Sequence, residues 1–559
     1  MKVKIISALE KCFLDQQIWE KKAVIGGSML KNERYSFQVC YQMDQTKELC
    51  NGVRYAVMEV ISPIRDRITV RKVQSVPSQM PLYTKQRDYA VLRTQPGLYP
   101  DALIPMSDDR IAFMNTLNAL WLDVEGDDTV DAGFYPIKLR FRPVHGATGE
   151  YRDDMDPVET EFQLEVIDAS LPKQTTKVTH WFHCDCLQVY YGTEAFDERH
   201  WQIIEAFMKI AVKNGINMIL TPLFTPPLDT AVGGERPTTQ LVGVRKEGSA
   251  YFFDFSKLER WIKLCDRVGV EYFEINHMFT QWGANHCPKI MALVEGREKR
   301  IFGWESDAAG EEYRDFLNQF IPQFLSFMQS MNGADQRCYF HLSDEPSAQH
   351  LDQYVKVRDI LVPLLEGYPV FDALSHVEYF DRGMVQIPVP DVSHIEPFLD
   401  REIPERWAYY CCGMAEGTSN RFMALPSYRN RILGAQMYKH GIKGFLHWGY
   451  NFYFNQYSYQ PVDPWICTDG DGFVPSGDAF VVYPGKDGSC VESLRLKVFH
   501  DALQDQRAME LCESLCGKAY VISLIEEGIG ELKFNICPQD PECLLRLREK
   551  INYAIKAKI

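Results

Sequence analysis

The chain has 559 residues, 46% hydrophobic and 24% charged, and this length exceeds what one hydrophobic core supports, so we expect at least two domains. Its formal net charge of −16 would repel a phosphate backbone, which excludes nucleic acid as an expected partner. No apolar run approaches the roughly 20 residues that cross a bilayer, and charge follows the first apolar residues too closely for a signal peptide. We therefore expect a cytoplasmic protein with no membrane insertion.

Residues 1–170 are predicted to form a β-sandwich domain. Apolar and polar side chains alternate there with a period of two, most clearly in Ile137-Lys-Leu-Arg-Phe-Arg142. This alternation, with polar turns between the strands, is typical of antiparallel sheets that have one buried face and one solvated face. The domain is expected to support a catalytic domain or to shape one wall of its site.

Residues 171–559 are predicted to form a (β/α)8 TIM barrel with a C-terminal helical extension. From about Thr176 to Trp448, eight apolar strand-like segments alternate with amphipathic helical segments. This rhythm indicates a parallel sheet covered by helices. A doubly wound open sheet is the alternative, but it would normally bring a glycine-rich phosphate turn after an early strand, and the sequence has none there. The predicted fold class is therefore α/β with an all-β N-terminal domain.

In a barrel of this kind, the active site lies at the carboxyl ends of the strands. Polar and aromatic residues cluster near those predicted ends, and such groups suit the apolar faces and hydroxyl rims of sugars. Taken singly, Trp407 is better explained by core packing, and His183 and His277 by structural hydrogen bonds. Taken together, eight residues are predicted to bind substrate: His183, Asn217, His277, Asp372, Trp407, Tyr409, Trp448 and Asn451.

Asp344 and Glu345 are the predicted catalytic residues. They follow the short apolar segment Cys338-Tyr-Phe-His-Leu342, and Pro346 opens a predicted helix after them. Two carboxylates at the end of a buried strand are costly to desolvate, and no basic residue adjoins them in the sequence to form a structural ion pair. Catalysis explains the pair better than structure does.

Adjacent carboxylates cannot easily stand on opposite sides of a glycosidic bond, as most glycosidases require. They can serve a substrate that carries a 2-acetamido group. Glu345 would protonate the leaving oxygen, and Asp344 would orient the acetamide, whose carbonyl oxygen attacks C1 to give an oxazolinium intermediate. Water would open this intermediate with retention of configuration. Because neighbouring side chains of a regular strand point in opposite directions, the chain must turn or bulge at residues 343–346.

No metal or cofactor is expected. The 16 cysteines are scattered without a C-x-x-C pair, and neither Cys184-Asp-Cys186 nor Cys411-Cys412 has partners at zinc-ligand spacing. Asp469-Gly-Asp-Gly472 is better explained by a tight turn than by a calcium loop, because the other ligands of such a loop are missing. The cysteines are predicted to be reduced thiols.

Four motifs follow one another in the second half of the chain: Asp344-Glu-Pro346, Trp407-Ala-Tyr-Tyr-Cys-Cys412, Gly444-Phe-Leu-His-Trp-Gly-Tyr-Asn451, and Tyr483-Pro-Gly-Lys-Asp-Gly488 with Ser493-Leu-Arg-Leu496. Together they resemble glycoside hydrolase family 123, over roughly residues 175–515. The resemblance implies an exo-acting, retaining β-N-acetylgalactosaminidase that releases terminal β-linked GalNAc, as on glycosphingolipid glycans. It also implies Glu345 as acid/base, Asp344 as the acetamide-orienting residue, Tyr409 as a donor to the acetamide oxygen and Trp448 as a wall of the sugar pocket.

One run departs from the family's more usual pattern, His500-Asp-Ala-Leu-Gln-Asp-Gln506, and it puts local packing in question more than activity. Two alternatives stay open. A β-N-acetylglucosaminidase or broad β-hexosaminidase would use the same acid pair, because nothing in residue spacing distinguishes an axial from an equatorial 4-hydroxyl group. A non-catalytic glycan-binding barrel is the other alternative, although a binding module has no need of two acids there. The linkage, the aglycone and the oligomeric state are left open.

Overall fold

The computed structural model describes residues 1–43, 54–85, 88–538, 540 and 542–559. The chain divides into two compact units. The first unit comprises Met1–Gln174, Arg421–Lys439 and Val491–Ile559, and the second comprises Thr175–Asn420 and His440–Cys490. The predicted division at residue 171 lies close to the end of the first segment. The C-terminal residues, however, were expected to extend the barrel domain, and they belong to the unit that contains the N-terminal strands.

Ten strands occupy the N-terminal region: β1 (Lys2–Ser7), β2 (Gly26–Lys31), β3 (Arg34–Gln42), β4 (Arg54–Ile61), β5 (Ile68–Ser78), β6 (Gly97–Pro105), β7 (Arg110–Phe113), β8 (Asn118–Glu125), β9 (Gly133–Val144) and β10 (Val158–Ser170). They form two five-stranded sheets, ordered β1-β3-β8-β5-β6 and β2-β10-β9-β4-β7. In β9, Ile137, Leu139 and Phe141 are buried while the basic residues between them are partly exposed. Both sheets contribute to one core, where the rings of Phe37 and Phe162 stack with centroids 4.5 Å apart. The predicted all-β N-terminal region is confirmed.

The remaining strands, in chain order, are β11 (Lys177–His180), β12 (Met218–Thr221), β13 (Gly243–Glu247), β14 (Ala250–Asp254), β15 (Tyr272–Ile275), β16 (Ile290–Val294), β17 (Arg297–Phe302), β18 (Cys338–Phe340), β19 (Phe371–Ala373), β20 (Ile387–Val389), β21 (Trp407–Tyr409), β22 (Gly444–His447), β23 (Val482–Pro484) and β24 (Cys490–Glu492). The helices are α1 (Cys184–Tyr191), α2 (Glu198–Lys213), α3 (Ser256–Val268), α4 (Glu311–Ser330), α5 (Leu351–Leu361), α6 (Val377–Asp381), α7 (Glu396–Leu399), α8 (Tyr428–Arg431), α9 (Leu433–His440), α10 (Leu494–Cys516), α11 (Lys518–Ile529) and α12 (Glu542–Lys556).

A curled parallel sheet forms the centre of the second unit. Six strands pair in the order β18-β15-β12-β11-β22-β21, and β19 pairs in parallel with β20. Isolated parallel bridges continue this pairing from Phe340 of β18 to Val370 and from Asp391, just after β20, to Tyr409 of β21. Each of the eight segments predicted as strands contains one of these eight strands. Because the strands are parallel, their carboxyl ends share one edge, where side chains from different strands can converge.

A four-stranded sheet, ordered β14-β13-β16-β17, is inserted at that edge. Strands β13 and β14 separate β12 from α3, and β16 and β17 separate β15 from α4. The loops that enter and leave this small sheet therefore begin at the carboxyl ends of β12 and β15. Backbone bonds anchor the first loop, since the Leu241 and Val242 N–H groups donate to the Pro222 and Leu223 carbonyls at 3.0 and 3.2 Å.

The C-terminal helices pack within the first unit. Apolar side chains of α10, α11 and α12 share a core with residues of the N-terminal strands, among them Leu30, Leu103 and Trp121. Ion pairs tie the same elements together: Arg34 of β3 donates to Asp501 Oδ1 at 2.8 Å. These contacts join residues more than 400 positions apart, so no local pattern in the sequence could have indicated them.

The cysteines in the described part of the chain are free thiols, and most of them are buried. Among the described helices, none is long and apolar enough to cross a membrane.

Candidate active site

The predicted turn at residues 343–346 is confirmed. Strand β18 ends at Phe340, and Asp372 Oδ1 accepts hydrogen bonds from the N–H groups of Leu342 and Ser343 at 3.0 and 3.2 Å. Glu345 then adopts a left-handed backbone conformation with φ 43°. Such a conformation is unfavourable for a residue with a side chain, and its presence breaks the alternation of a regular strand. The turn therefore frees two adjacent carboxylates from the requirement to point in opposite directions.

Neighbouring strands hold the two acids from several sides. Asp344 is 8% exposed, and its carbonyl accepts a hydrogen bond of 2.9 Å from the Trp282 N–H. Glu345 is open to solvent, and its N–H donates to the Ala373 carbonyl at 3.0 Å. The Tyr409 hydroxyl donates to Glu345 Oε1 at 2.6 Å. One acid is thus buried while the other is exposed to solvent.

Both acids have raised pKa values. Burial and the neighbouring Glu345 carboxylate raise the pKa of Asp344 well above its ordinary value, and the nearby His341 opposes this rise. Desolvation by the surrounding protein raises the pKa of Glu345, which the Tyr409 hydrogen bond lowers in part and the Asp391 carboxylate raises further. Because the negative charge of each carboxylate opposes that of the other, simultaneous ionisation of both groups is disfavoured.

A buried imidazole lies directly beneath the acid pair. His341 Nε2 is 2.6 Å from Glu274 Oε1, and its Nδ1 is 3.5 Å from Asp372 Oδ1. Burial would lower the pKa of His341, but the two carboxylates outweigh it and raise this pKa to about 9. The ring is therefore a cation at neutral pH. We call Glu274, His341, Asp344, Glu345 and Asp372 the acid cluster.

Two residues that were predicted to bind substrate are buried among the side chains that hold the acid pair, and they do not face solvent. Asp372 is fully buried, where it holds the turn and accepts a hydrogen bond of 2.6 Å from the Tyr354 hydroxyl. His277 is fully buried and stacks on His341 with centroids 4.0 Å apart. Neither His277 ring nitrogen has a hydrogen-bond partner among the described residues. Burial lowers the pKa of His277 well below its ordinary value, so this ring is neutral.

Three more predicted residues form one network at the carboxyl ends of β11 and β22. The Asn451 side chain accepts from the His183 N–H at 2.9 Å and donates to the His183 carbonyl at 3.0 Å. His183 Nε2 lies 3.0 Å from the Trp448 carbonyl, and the Trp448 indole donates to Asp478 Oδ2 at 2.8 Å. Trp448 is partly exposed, while Asn451 and His183 are buried behind it. The last two orient Trp448 and do not face solvent.

Asn217 and Trp407 were predicted to bind substrate, and the structure corrects both assignments. Asn217 precedes β12 and bonds to the Val178 N–H at 2.8 Å, and Trp407 is the first residue of β21. Both therefore lie at the amino ends of their strands, away from the edge that carries the acid pair. Trp407 is 1% exposed, and it packs so closely on Gly444 that an added Cβ there would lie 2.0 Å from the indole ring.

Sequence reasoning missed several residues of this region, including Glu274, His341 and Asp391. Asp391 is 2% exposed, and it accepts hydrogen bonds from Ser375 Oγ at 2.5 Å, the Ser393 N–H at 2.7 Å and His394 Nδ1 at 2.7 Å. Polar residues inside short apolar strands, such as Glu274 and His341, were the available signal. Within the described ranges, no group of three His, Cys, Asp or Glu side chains is arranged to hold a metal ion.

Carboxyl groups with raised pKa values at the carboxyl edge of a parallel sheet are candidates for general acid catalysis. The model of the glycoside hydrolase 123 catalytic domain matches residues 181–512 of the chain. The chain therefore belongs to glycoside hydrolase family 123, as the sequence motifs predicted.

Structural comparison agrees with this assignment at the level of the fold. A family 123 glycoside hydrolase from Clostridium perfringens matches with a TM-score of 0.73 and 14% sequence identity, covering 100% of this chain and 98% of that chain. A family 5 cellulase of Bacteroidetes affiliation (TM-score 0.31, 9% identity, 59% and 92% covered) and a Ruminococcus gnavus β-glucuronidase (TM-score 0.31, 8% identity, 90% and 98% covered) are too dissimilar to support an argument. No curated protein sequence matches the chain significantly.

Proposed function

We propose that this glycoside hydrolase is a retaining exo-β-N-acetylgalactosaminidase that releases terminal β-GalNAc by substrate-assisted catalysis. The observation that carries the proposal is the adjacent pair Asp344 and Glu345, in which one acid is buried and the other is open to the cleft. The related Clostridium perfringens enzyme is described as acting in glycolipid glycan hydrolysis, and we propose glycans of that kind, such as those of glycosphingolipids, as the substrate.

The chemistry divides between the two acids. Glu345, whose pKa is raised by desolvation, donates a proton to the leaving oxygen as general acid. Asp344 accepts a hydrogen bond from the acetamide N–H, and this bond favours its ionised form. Substrate binding would thus place the single proton of the pair on Glu345. The acetamide oxygen attacks C1, and Glu345 then activates the water that opens the oxazolinium intermediate.

The surroundings of the pair favour this route over a protein nucleophile. Asp391 is the carboxylate near Glu345 that could otherwise attack C1, but both of its oxygens accept hydrogen bonds from Ser375, Ser393 and His394. A carboxylate held in this way is buried and poorly placed to form a covalent bond. Tyr409 is proposed as a donor to the acetamide oxygen once it leaves Glu345, and the partly exposed Trp448 is proposed as a wall of the sugar pocket.

We also propose that the eight parallel strands close into a (β/α)8 barrel. Their pairing follows chain order, and the bridges at Phe340 and Asp391 join the two-stranded sheet to both edge strands of the six-stranded sheet. A closed barrel would explain why the ends of β11, β15, β18, β19, β21 and β22 supply side chains to one region.

A paired assay on aryl β-GalNAc and aryl β-GlcNAc glycosides tests the function. We expect hydrolysis of the β-GalNAc glycoside with a clear preference over its epimer, and strong inhibition by a thiazoline analogue of the oxazolinium intermediate. Preference for β-GlcNAc would identify a hexosaminidase. Binding of GalNAc without hydrolysis of any β-linked substrate would identify a glycan-binding protein. Indifference to the thiazoline, together with a trapped glycosyl-enzyme, would contradict the substrate-assisted route.

A further inference from the structure

Three loops meet beside the acid pair and are joined by hydrogen bonds. They follow β12, β15 and β22, and they carry Asp229, Trp282 and Tyr457. The Asp229 N–H donates to Gln281 Oε1 at 2.6 Å, next to Trp282 in the chain. Asp229 Oδ2 accepts a hydrogen bond of 3.1 Å from the Tyr457 N–H. The Trp282 N–H in turn donates to the Asp344 carbonyl at 2.9 Å, so the loops are tied directly to the proposed catalytic residue.

These loops hold an unusual concentration of left-handed residues. Asp229, Trp282, Ala284, Tyr457 and Ser458 have φ values of 40°, 57°, 55°, 60° and 57°. Each such conformation is unfavourable for a residue with a side chain, and it persists only where the surrounding structure enforces it. Strain of this kind concentrates at ligand sites, because it fixes side chains in positions that relaxed loops would not give.

The strained loops present an aromatic row that begins at the acid pair and leads outward. The Trp282 and Tyr457 ring centroids are 5.8 Å apart, and those of Tyr457 and Tyr459 are 6.1 Å apart. Trp282 is 41% exposed, Tyr457 is partly buried, and Tyr459 at the far end of the row is 67% exposed. Asp229 lies beside the row, half-buried, and its carboxylate can accept hydrogen bonds from hydroxyl groups.

We propose that Trp282, Tyr457, Tyr459 and Asp229 form a leaving-group subsite, which binds the neutral sugar residues next to the terminal sugar. Aromatic rings offer the apolar ring faces of sugars a surface to stack on, and a carboxylate recognises their hydroxyl rims. The row starts next to the backbone of Asp344 and ends at the highly exposed Tyr459, so it leads from the proposed site of reaction toward solvent. This direction suits the part of an oligosaccharide that an exo-acting enzyme leaves behind, and in this respect the inference rests on the proposed function.

The subsite predicts that affinity depends on Trp282 only when the ligand extends beyond the terminal sugar. The test uses the Glu345→Gln protein and compares binding of a β-GalNAc-terminated neutral tetrasaccharide with binding of methyl β-GalNAc by calorimetry. We expect the tetrasaccharide to bind at least about tenfold more tightly. Adding Trp282→Ala should remove most of this difference, and adding Tyr459→Ala should reduce it. Phe252→Ala, which removes a 44% exposed aromatic ring from β14, is the matched control and should change neither affinity.

A second arm separates the subsite from the proposed function. A neutral trisaccharide of galactose and glucose, without GalNAc, should bind the wild-type protein weakly in saturation-transfer NMR, and Trp282→Ala should abolish the signal. Loss of this dependence, with aryl β-GalNAc hydrolysis intact, would overturn the subsite alone. Absence of hydrolysis with a Trp282-dependent trisaccharide signal would overturn the proposed function and leave the subsite standing. If Trp282→Ala fails to fold, Tyr459→Ala decides, and an unchanged tetrasaccharide advantage there overturns the proposal.

Discussion

The two units of the molecule each bury a cluster of charged side chains, and the clusters differ in how their charges are compensated. In the first unit, Asp123 lies 2.7 Å from Arg71 and 3.2 Å from Lys497, with Arg34 at 3.6 Å. Glu492 pairs with the same Lys497 at 2.5 Å. In the acid cluster of the second unit, four carboxyl groups are accompanied by the single imidazolium of His341, which lies 2.6 Å from Glu274 and 3.5 Å from Asp372.

This difference decides the protonation states. Burial opposes ionisation of Asp123, but Lys497, Arg34 and Arg71 outweigh it and hold its pKa far below the ordinary range. Desolvation of Asp344 and Glu345 by the surrounding protein is not outweighed by neighbouring cations, so the pKa values of both groups rise. A buried carboxylate among cations is fixed as an anion and serves structure, whereas one among other carboxyl groups can gain and lose a proton. Burial alone would not have separated the two cases.

A substitution at Glu345 tests the contrast between the two clusters most directly. Glu345→Gln keeps the size and the Tyr409 contact but removes the transferable proton, and we expect turnover to fall by about 10²–10⁴-fold, with the largest loss on poor leaving groups. Steady-state kinetics on a natural glycan and on an activated aryl glycoside measure the effect. Glu259→Gln on the exposed face of α3 is the matched control. Near-normal hydrolysis of the natural glycan by Glu345→Gln would refute the general-acid assignment.

A substitution at Lys497 tests how much the charged cluster around Asp123 contributes to stability. Lys497→Met leaves Asp123 and Glu492 buried with less compensation, and we expect the free energy of unfolding to fall by about 3–5 kcal/mol while activity per folded molecule is retained. Urea denaturation followed by fluorescence gives the value. Lys263→Met, which removes the exposed pair with Glu259, should cost less than about 1 kcal/mol. An equal decrease in the free energy of unfolding in the two variants would show that the buried cluster contributes no more to stability than an exposed ion pair.

A substitution at Tyr409 tests the protonation of Glu345, with a smaller expected effect on activity. Its hydrogen bond lowers the pKa of Glu345, so Tyr409→Phe should raise that pKa. The proposed mechanism requires the protonated form of Glu345, so the basic limb of the pH profile of kcat/KM should move to higher pH, by about one unit. Tyr368→Phe, which removes a hydroxyl bonded to Asp335 elsewhere in the same unit, should leave the profile unchanged. Movement of the acidic limb to higher pH in Tyr409→Phe, with the basic limb unmoved, would mean that Glu345 acts in its ionised form.

Local patterns in the sequence were enough to predict the strands and the position of the acid pair. The pair was recognisable because its two carboxylates followed an apolar run without a neighbouring base, and the need for a turn at 343–346 followed from strand geometry alone. Asn217 and Trp407 were misplaced because parallel strands of three or four residues do not show in the sequence which flanking residue lies at which end.

Other features depend on contacts that no local pattern encodes. The packing of α10, α11 and α12 in the first unit arises from pairs such as Arg34 with Asp501, which are hundreds of residues apart. Hydrogen bonds between loops hold Trp282 and Asp229 in position. Their left-handed backbone conformations could not be predicted from the sequence, because these residue types seldom adopt such conformations. Many acidic residues of the chain are buried in the folded protein. Only the cations around them, which the structure shows, separate those held as structural anions from those that can exchange a proton.

The left-handed backbone at Glu345 has a consequence for relatives that no longer cleave glycans. Glycine or asparagine adopts this conformation at lower free energy than glutamate, so the proposed catalytic side chain stands there against the local preference of the chain. Once hydrolysis ceases to be selected, mutation would drift toward those two residues and stabilise the fold. The amino acid at this position would therefore help to distinguish relatives that hydrolyse glycans from relatives that do not.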